Sequence, residues 1–327
     1  MNISEFAVIA GVSKSAVSRY FNNGYLSADK KEKIEEALKK TGYAPSAAAR
    51  TVKTRVTKLV GVIIPKLSSE SCSKVAEGIS DVLDAQGYKL LLVNTANDSH
   101  KEIESLELFR QNRVDGVILL ATVFSDLHKA VMKKMRVPFV IVGQEMKGFN
   151  CVCHNDEGAA FALTKLMIEK GVKKPGIIGV TRDDAAAGAA RWNGFLNAVA
   201  KAGLTFNEDF SEMSEFTMDS GYRAAKRLFS HRERPDGVFC ATDTIAAGAE
   251  LYCRENGISI PDDVMMCAIG DSKMGRVAYP SLTTAHLHYK TAGNEAAEML
   301  LHAIKNGDEI QRILQLDFDI IERDSTS

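Results

Sequence analysis

The sequence predicts an α/β protein, with a short all-helical segment in front of a doubly wound body built on parallel sheets. Short helical patterns fill the chain up to about residue 57, and apolar runs of strand length then alternate with amphipathic helical stretches. Runs that are apolar throughout are typical of parallel strands covered on both faces. Seven such runs in about 270 residues are more than a single hydrophobic core usually contains, so we expect a body of two lobes.

The helical segment predicts three helices, at 4–10, 14–21 and 28–41. Gly11 permits a tight turn between the first two helices, and Ser13 can cap the second. Gly42 supplies a left-handed stop for the third. Three short helices in this order predict a small DNA-binding or structural bundle.

The body predicts alternating strands and helices. The predicted strands are 59–65, 88–95, 116–122, 138–144, 175–180, 237–243 and 264–271. The predicted helices are 72–86, 100–113, 157–170, 188–202, 219–230, 244–256 and 291–305. The alternating CVCH of 151–154 also suits a strand, and ILQLDFDIIERD of 313–324 is strand-like.

Charge is divided unevenly along the chain. The first 60 residues contain 11 Lys and Arg against 5 Asp and Glu, a net charge of +6, whereas the remainder has 30 against 37, a net charge of −7. This asymmetry indicates a small anion-binding module fused to a body with another task, unless surface charges cluster there by chance.

The remaining composition indicates a cytoplasmic chain. The six Cys lie mostly in apolar runs, where a free thiol behaves as a small hydrophobe in a reducing compartment. The N-terminus lacks the charged region of a secretion signal, and no segment reaches the roughly 20 apolar residues of a membrane span. We therefore expect no membrane partner.

Residues 11–27, GVSKSAVSRYFNNGYLS, have the spacing of a helix-turn-helix. Ala16 and Val17 face the core in this interpretation. A second helix of this kind presents its N-terminal residues to base edges in the major groove. Lys and Arg suit the acceptors of guanine, and Ser pairs with several bases. The candidate DNA-contacting residues are Lys14, Ser15, Ser18 and Arg19.

The stretch APSAAARTVKTR, residues 44–55, predicts a short basic helix that folds when it docks on DNA. Pro45 favours an extended conformation before it, and the run of Ala favours a helix after it. A helix of barely two turns is only marginally stable in water, so its contacts with DNA would supply the stability that it lacks alone. The alternative is a plain flexible linker with basic residues.

Polar residues follow most of the predicted strands. In parallel sheets, ligands bind beyond the carboxyl ends of the strands. Carboxylate, amide and hydroxyl groups facing one cleft are suited to a polyhydroxylated ligand, because each buried hydroxyl needs a hydrogen-bond partner. The body is therefore interpreted as a sugar-binding clamp; the alternative is a set of solvated loop residues. The residues concerned are Lys66, Ser69, Gln144, Asp184, Thr242, Asp243 and Asp271.

Several of these stretches together resemble the lactose and galactose repressor family of bacterial transcription regulators. GVSKSAVSRYFN, the TGYAPSAAARTVKT linker and the strand KLVGVIIP carry the resemblance, with further matches at HNDEGAA, RWNGF, CATDTIAAGA and PSLTT. It covers essentially the whole chain. It implies a helix-turn-helix domain over 1–45, a hinge helix over 46–56, and a two-lobed, periplasmic-binding-protein-like effector and dimerisation domain over 57–327.

The resemblance also implies a mechanism. A homodimer would place two recognition helices on a palindromic operator, with paired hinge helices in the minor groove between them, and a sugar effector would release the DNA. Val52 stands where the family has a wedging Leu, so it offers less apolar area to offset unstacking. The hinge residues implied to contact DNA are Ser46, Ala49, Arg50, Val52 and Lys53.

Within the family, residues 147–159, 177–188 and 239–249 look most like the trehalose-responsive members, which implies a disaccharide or sugar-phosphate effector. Arg191, Asp243 and Tyr289 match sugar-contacting positions, and Trp192 can stack on a sugar ring or belong to the core. Lys66 and Gln144 replace two Arg of those members. A neutral disaccharide, trehalose or sucrose, and trehalose-6-phosphate therefore both remain open.

Other chemistries are less well supported by the sequence. Cys151, Cys153 and His154 form half a metal site, but no second pair lies at zinc spacing nearby. No nucleophile motif, Walker loop or dinucleotide fingerprint follows a strand. We expect no cofactor and no enzymatic activity; the alternative is a soluble sugar-binding protein or carbohydrate-active enzyme without a DNA function. No heptad repeat follows 313–324, so a dimer and not a tetramer is expected.

Overall fold

The computed structural model describes residues 1–21, 24–43, 56–307 and 311–327. The chain separates into two compact units, Met1–Thr57 and Lys58–Ser327. The predicted boundary between 1–45 and 46–56 falls in a part of the chain outside the described residues, so it stays a prediction.

The first unit is a bundle of α1 (Ile3–Ile9), α2 (Lys14–Phe21) and α3 (Ala28–Thr41). Its core contains Phe6, Val17 and Ile34, all fully buried, and Phe6 stacks on Tyr43 with ring centroids 4.4 Å apart. The bounds of α2 and α3 are those that the sequence predicts, and α1 begins one residue earlier.

The second unit contains two six-stranded sheets, one in each lobe. Sheet 1 has the order β11-β5-β4-β3-β1-β2 and is parallel throughout. Its strands are β1 (Leu59–Ile64), β2 (Lys89–Asn94), β3 (Gly116–Leu120), β4 (Phe139–Val142), β5 (Asn150–His154) and β11 (Ile313–Leu316).

Sheet 2 repeats this arrangement in the order β12-β10-β9-β8-β6-β7. Only its edge strand β12 is antiparallel, pairing with β10. The strands are β6 (Pro175–Gly179), β7 (Ser211–Met213), β8 (Gly237–Cys240), β9 (Met265–Ile269), β10 (Thr283–Leu287) and β12 (Phe318–Ile321).

Helices cover both faces of each sheet, as the wholly apolar strands require. They are α4 (Glu70–Ala85), α5 (Ser99–Gln111), α6 (Asp126–Met132), α7 (Asp156–Glu169), α8 (Arg191–Lys201), α9 (Met218–Leu228), α10 (Asp243–Glu255), α11 (Lys273–Val277) and α12 (Tyr289–Asn306). A π-helix, Ala185–Ala190, precedes α8 directly.

The chain passes between the lobes three times. After β5 it enters the second lobe, where α7 packs in the core of sheet 2. After β10 it returns, and α12 packs on sheet 1. The last passage lies between β11, which pairs with β5, and β12, which pairs with β10. Two of these segments, at His154–Asp156 and at Tyr289, line the cavity between the lobes.

The predicted α/β architecture with two lobes and mainly parallel sheets is confirmed. The seven predicted strands and seven predicted helices of the body are present within a few residues. The structure adds β7, β10, α6 and α11, which the sequence patterns do not predict. Within the described residues, no helix is long and apolar enough to span a bilayer.

Candidate functional site

The helix-turn-helix surface is formed by α2. Lys14, Ser15 and Arg19 are exposed on its outer face, whereas Ala16 and Val17 are buried in the core. Ser13 caps the helix, since its Oγ accepts a hydrogen bond from the Ala16 N–H at 3.2 Å. The division between outer and inner residues is therefore the predicted one. Ser18 is half-buried beside them.

These four residues are the candidate DNA contacts of the first unit. The predicted hinge contacts lie outside the described residues: Ser46, Ala49, Arg50, Val52 and Lys53.

The second candidate site is the cleft between the two lobes, a cavity of about 450 Å³. Its walls are built from the residues that follow the strands of both sheets, as expected for doubly wound folds. The cleft brings together seven of the ten predicted effector residues: Lys66, Ser69, Asp184, Arg191, Thr242, Asp243 and Tyr289.

Arg191 anchors the floor of the cleft. Its Nε and Nη2 donate to Asp156 Oδ1 at 2.8 and 2.7 Å, and its Nη1 donates to the Ala241 carbonyl at 2.5 Å. Burial alone would lower the pKa of Arg191, but the Asp156 carboxylate outweighs it and raises that pKa above the ordinary value. The guanidinium therefore stays charged and fixed in position.

Two further carboxylates point into the cleft with part of their hydrogen-bonding capacity satisfied. Asp243 Oδ1 accepts from Thr284 Oγ1 at 2.7 Å, and its Oδ2 accepts from the Ser272 N–H at 2.6 Å. Asp184 caps the π-helix by accepting from the N–H groups of Ala186 and Ala187. A carboxylate has about four lone-pair sites, so both residues can still accept hydrogen bonds from ligand hydroxyls.

Burial raises the pKa of Asp184, while the Ala187 N–H and the Arg191 charge oppose that shift. Burial also raises the pKa of Tyr289 to about 12. The Tyr289 hydroxyl therefore keeps its proton and serves as a neutral donor next to Arg191.

Lys66 connects the two lobes at the opposite side of the cleft. Its Nζ donates to the Phe216 carbonyl at 2.9 Å, a contact between the loop after β1 and the loop after β7. Ser69 caps α4 and shares a hydrogen bond with Ser71. The half-buried Phe216 ring provides an apolar face suited to a sugar ring.

Three predicted effector residues lie elsewhere. Trp192 packs in the core of the second lobe, where Gly179 leaves room for its ring, and Arg182 lies 4.1 Å over its outer face. Gln144 lies in the adjoining wall, where its Nε2 donates to the Thr122 carbonyl and, at 3.2 Å, to Asp184 Oδ1. It reaches the cleft only through these neighbours.

Asp271 is the third, and its carboxylate points away from the cleft. It accepts from Arg276 and Arg323 at 2.5 Å and from His286 at 3.0 Å. Burial would raise its pKa, but the hydrogen bonds from the two Arg lower it to about 2. The left-handed backbone at Asp271, with φ of 46°, directs the side chain into this network. Trp192 thus takes the core position, one of the two alternatives that the sequence leaves open, and the carboxylate of Asp271 is engaged outside the cleft.

The sequence analysis does not predict the parts of the cleft formed by Asp156, His154 and Phe216. Asp156 and His154 belong to the HNDEGAA stretch, whose match to a family motif was the available signal. Phe216 follows β7, a strand of three residues that no pattern indicates. No group of three His, Cys, Asp or Glu within the described ranges is placed to hold a metal ion, and Cys151 and Cys153 are buried thiols.

Comparison with known proteins matches each of the two units to a protein family. Residues 2–46 match the bacterial regulatory proteins of the lacI family, and residues 164–326 match a periplasmic binding protein-like domain. A lac repressor dimer bound to operator and the anti-inducer ONPF has the same fold, with a TM-score of 0.90 over 100% of this chain and 99% of that chain, at 19% identity.

Two relatives cover nearly the full length. The sucrose operon repressor of Staphylococcus xylosus is 31% identical over 96% of this chain and 97% of its own. The transcriptional repressor PurR of Vibrio atlanticus is 30% identical over 98% of this chain and 97% of its own. Both are regulators and not enzymes, so the alternative of a carbohydrate-active enzyme is set aside. The chain belongs to the lacI family of bacterial transcription regulators.

Proposed function

We propose that this protein is a cytoplasmic repressor of sugar-utilisation genes that binds a palindromic operator as a homodimer and is released by a disaccharide or sugar phosphate. The observation that carries the proposal is the composition of the cleft. Its floor joins fixed acceptors, Asp184 and Asp243, with neutral hydroxyl donors, and this combination suits a polyhydroxylated ligand.

The first unit supports operator binding. Lys14, Ser15 and Arg19 are exposed on one face of a capped helix, and the first 60 residues carry a net charge of +6. Phosphate contacts by such a segment supply affinity, and contacts to base edges supply sequence preference. The repressor of Staphylococcus xylosus, which is named for the sucrose operon, supports a sugar as effector.

The second unit supports a homodimer. Strand β2 lies at the edge of sheet 1, and Leu91 and Leu92 are 39% and 38% exposed there. Val277 and Tyr279, 83% and 92% exposed, provide apolar surface on the other lobe. A second copy would cover both surfaces. Light scattering should give the mass of a dimer at micromolar concentration.

Operator binding is tested by fluorescence anisotropy on palindromes from the promoter next to the gene. Affinity should fall steeply with salt, because bound phosphates release counterions. Arg19→Ala should weaken binding by at least about tenfold, the range for a lost base contact, while Lys40→Ala at the far end of α3 should change it little. An absence of binding to every palindrome tested, at any salt or sugar concentration, would overturn the proposal.

The effector is tested by a thermal-shift panel of disaccharides and their 6-phosphates. Ligand at 100 times its dissociation constant should add about 2.7 kcal/mol of stability. Among the cleft cations, Arg191 is neutralised by Asp156, whereas Lys66 donates to the Phe216 carbonyl and has no carboxylate partner within the described residues. Lys66→Met should therefore weaken the binding of a sugar phosphate by about tenfold or more, and the binding of a neutral disaccharide far less. The effect of this substitution on the two ligands shows whether the effector is a sugar phosphate or a neutral disaccharide.

A further inference from the structure

A group of exposed cations lies where helices α5 and α6 end. The C-terminal ends of these helices lead into β3 and β4, which are neighbours in sheet 1. The Val117 N–H donates to the Pro138 carbonyl at 3.0 Å, so the segments before the two strands lie side by side. We call this group of cations the basic patch. It consists of Arg113, Lys133, Lys134 and Arg136.

The positive charge of the basic patch is not neutralised by neighbouring side chains. All four side chains are exposed, and none of them forms an ion pair within the residues that the structure describes. Two carboxylates on the same helices are already engaged, since Glu107 pairs with Arg110 at 2.6 Å and Asp126 pairs with Lys129 at 3.3 Å. A helix C-terminus offers only about half a negative charge. Two such ends therefore leave most of the positive charge available to an external partner.

The patch adjoins the point where the chain enters the body from the helix-turn-helix unit. That point is Lys58, which begins the second unit directly before β1. The Lys58 N–H donates to Asp115 Oδ2 at 2.7 Å, and the Asp115 N–H donates to the Leu59 carbonyl at 2.8 Å. Because Asp115 and Arg113 belong to the same short segment before β3, these bonds hold the patch next to the chain entry.

The corresponding edge of sheet 2 has the opposite balance of charge. Residues after the strands line the cleft, so the residues before the strands face away from it in each lobe. In sheet 1, the segments before β1, β3 and β4 contain five Lys and Arg against one Asp, at 56–58, 112–115 and 133–138. In sheet 2, the segments before β6, β7, β8 and β9 contain four Lys and Arg against six Asp and Glu, at 172–174, 207–210, 231–236 and 261–264. The edge at the chain entry is therefore positive, although the chain after residue 60 carries a net charge of −7.

We propose that the basic patch contacts the phosphate backbone of DNA, as a second, sequence-independent interface in addition to the helix-turn-helix. This inference rests on the proposed function, since it extends DNA binding to the body. Duplex DNA carries one negative charge per about 1.7 Å of its axis, so several exposed Lys and Arg side chains can meet phosphates at once. Such contacts position a protein on the duplex without reading its bases. They also offset the repulsion between DNA and an acidic body.

The test compares three full-length proteins by fluorescence anisotropy over a range of salt concentrations. They are the wild type, a patch variant and a matched control variant. The patch variant carries Lys133→Gln, Lys134→Gln and Arg136→Gln. The control variant removes the same charge from exposed positions at the edge of sheet 2, through Lys173→Gln, Arg232→Gln and Arg234→Gln. Each protein is titrated with two duplexes of equal length, one with the operator palindrome and one with a scrambled sequence.

The patch variant should show a weaker dependence of its binding constant on salt than the wild type, on both duplexes. In a plot of the logarithm of the binding constant against the logarithm of the salt concentration, each lost phosphate contact reduces the slope by about 0.9. The control variant should keep the wild-type slope. Arg113→Gln, in another segment of the patch, should reduce the slope in the same direction. Because the substituted side chains are exposed, all variants should unfold at the wild-type temperature.

An equal loss of slope in the patch and control variants would overturn the proposal, because net charge alone would then explain the effect. A wild-type slope in both the patch variant and Arg113→Gln would also overturn it, and would indicate another anionic partner, such as an acidic protein surface.

The scrambled duplex separates this test from the test of the proposed function. If the wild type bound both duplexes equally, sequence-specific operator binding would be contradicted, while the slopes on the scrambled duplex would still measure the contribution of the patch.

Discussion

The pair of Arg191 and Asp156 shows how a charged group can form the floor of a binding cleft. Both side chains are buried, and the guanidinium makes three hydrogen bonds within the protein. A buried charge is tolerated when it is paired and its donors are satisfied. Because these bonds exist before the ligand arrives, the hydroxyls of an effector meet a surface that needs little reorganisation.

Glu250, on α10, gives a residue-scale prediction about pH. Its Oε1 is buried without a partner within the described chain, and burial, reinforced by Asp243 and opposed by Arg254, raises its pKa to about 8. The folded protein therefore holds a proton that the unfolded chain, with a pKa of 4.5, releases. The stability from this group is fully present below pH 4.5 and is lost as pH rises through about 8.

Glu250→Gln should remove this pH dependence and raise the unfolding temperature at pH 8.5 more than at pH 5. Thermal unfolding followed by circular dichroism at the two pH values measures the difference. Glu298→Gln, at an exposed position on α12, is the control and should shift both temperatures equally. Identical behaviour of the two variants would contradict the assignment of a buried, protonated Glu250.

The sequence was enough to predict the positions of some cleft side chains and not of others. Lys66, Asp184 and Asp243 follow predicted strands and lie in the cleft, because a parallel sheet brings the ends of its strands to one edge. Trp192 was left open between the core and the sugar site, because a helical pattern does not indicate which neighbour an aromatic ring contacts, and its ring lies in the core. Asp271 was misplaced because its carboxylate pairs with Arg323, which is 52 positions later and has no local signature.

At the scale of elements, glycine allows the helices of the second unit to approach closely. A Cβ at Gly293 on α12 would lie 2.1 Å from the Val75 carbonyl on α4, and one at Gly78 would lie 2.2 Å from the Lys290 carbonyl. Helices α9 and α10 are equally close. A Cβ at Gly221 would lie 2.2 Å from the Ile245 carbonyl, and one at Gly248 would lie 2.0 Å from the Met218 carbonyl. In each case the obstacle is backbone, which cannot turn aside as a side chain can.

Gly293→Ala should therefore destabilise the protein by about 1–3 kcal/mol, the usual cost of overpacking, despite the better helix propensity of Ala. Urea unfolding with a constant m-value measures the change. Glu298→Ala on the exposed face of the same helix controls for propensity and should be close to neutral. If both variants were equally stable, the close contact between α4 and α12 would be wrong.

Elements with an apolar run or a strong helical periodicity were predicted, and several elements without such a pattern were not. The strand β7 has three residues, none of them fully buried, and α11 has five. The strand β10 is Thr-rich and follows Pro280, so its pattern resembles a loop. Such elements form because tertiary contacts select them, and local sequence carries little of that information.

At the scale of the molecule, the proposed function assigns operator binding to the first unit and effector binding to the second. Each unit has its own hydrophobic core. Deletion of residues 1–56 should therefore leave a body that keeps the thermal shift with the sugar effector and loses operator binding. Thermal shift and anisotropy measure the two activities. A fragment that folds, as judged by circular dichroism, but no longer binds sugar would contradict this division.

The two-lobed architecture was predictable because strand number exceeded one core, but the path of the chain was not. Hydrophobic periodicity identifies a strand without indicating which sheet it joins. Thus β11 and β12, adjacent in sequence, join different sheets, and β12 alone runs antiparallel.

That chain path has a consequence for synthesis on the ribosome. The strand that completes the edge of sheet 1, Ile313–Leu316, emerges after every strand of the second lobe except β12. Neither lobe can finish folding until residues 313–321 have been translated, while the helix-turn-helix emerges with the first 43 residues. A nascent chain thus completes its helix-turn-helix unit long before the cleft between the two lobes. A chain interrupted before residue 313 would lack an edge strand in both sheets, and with them the support of both walls of the cleft.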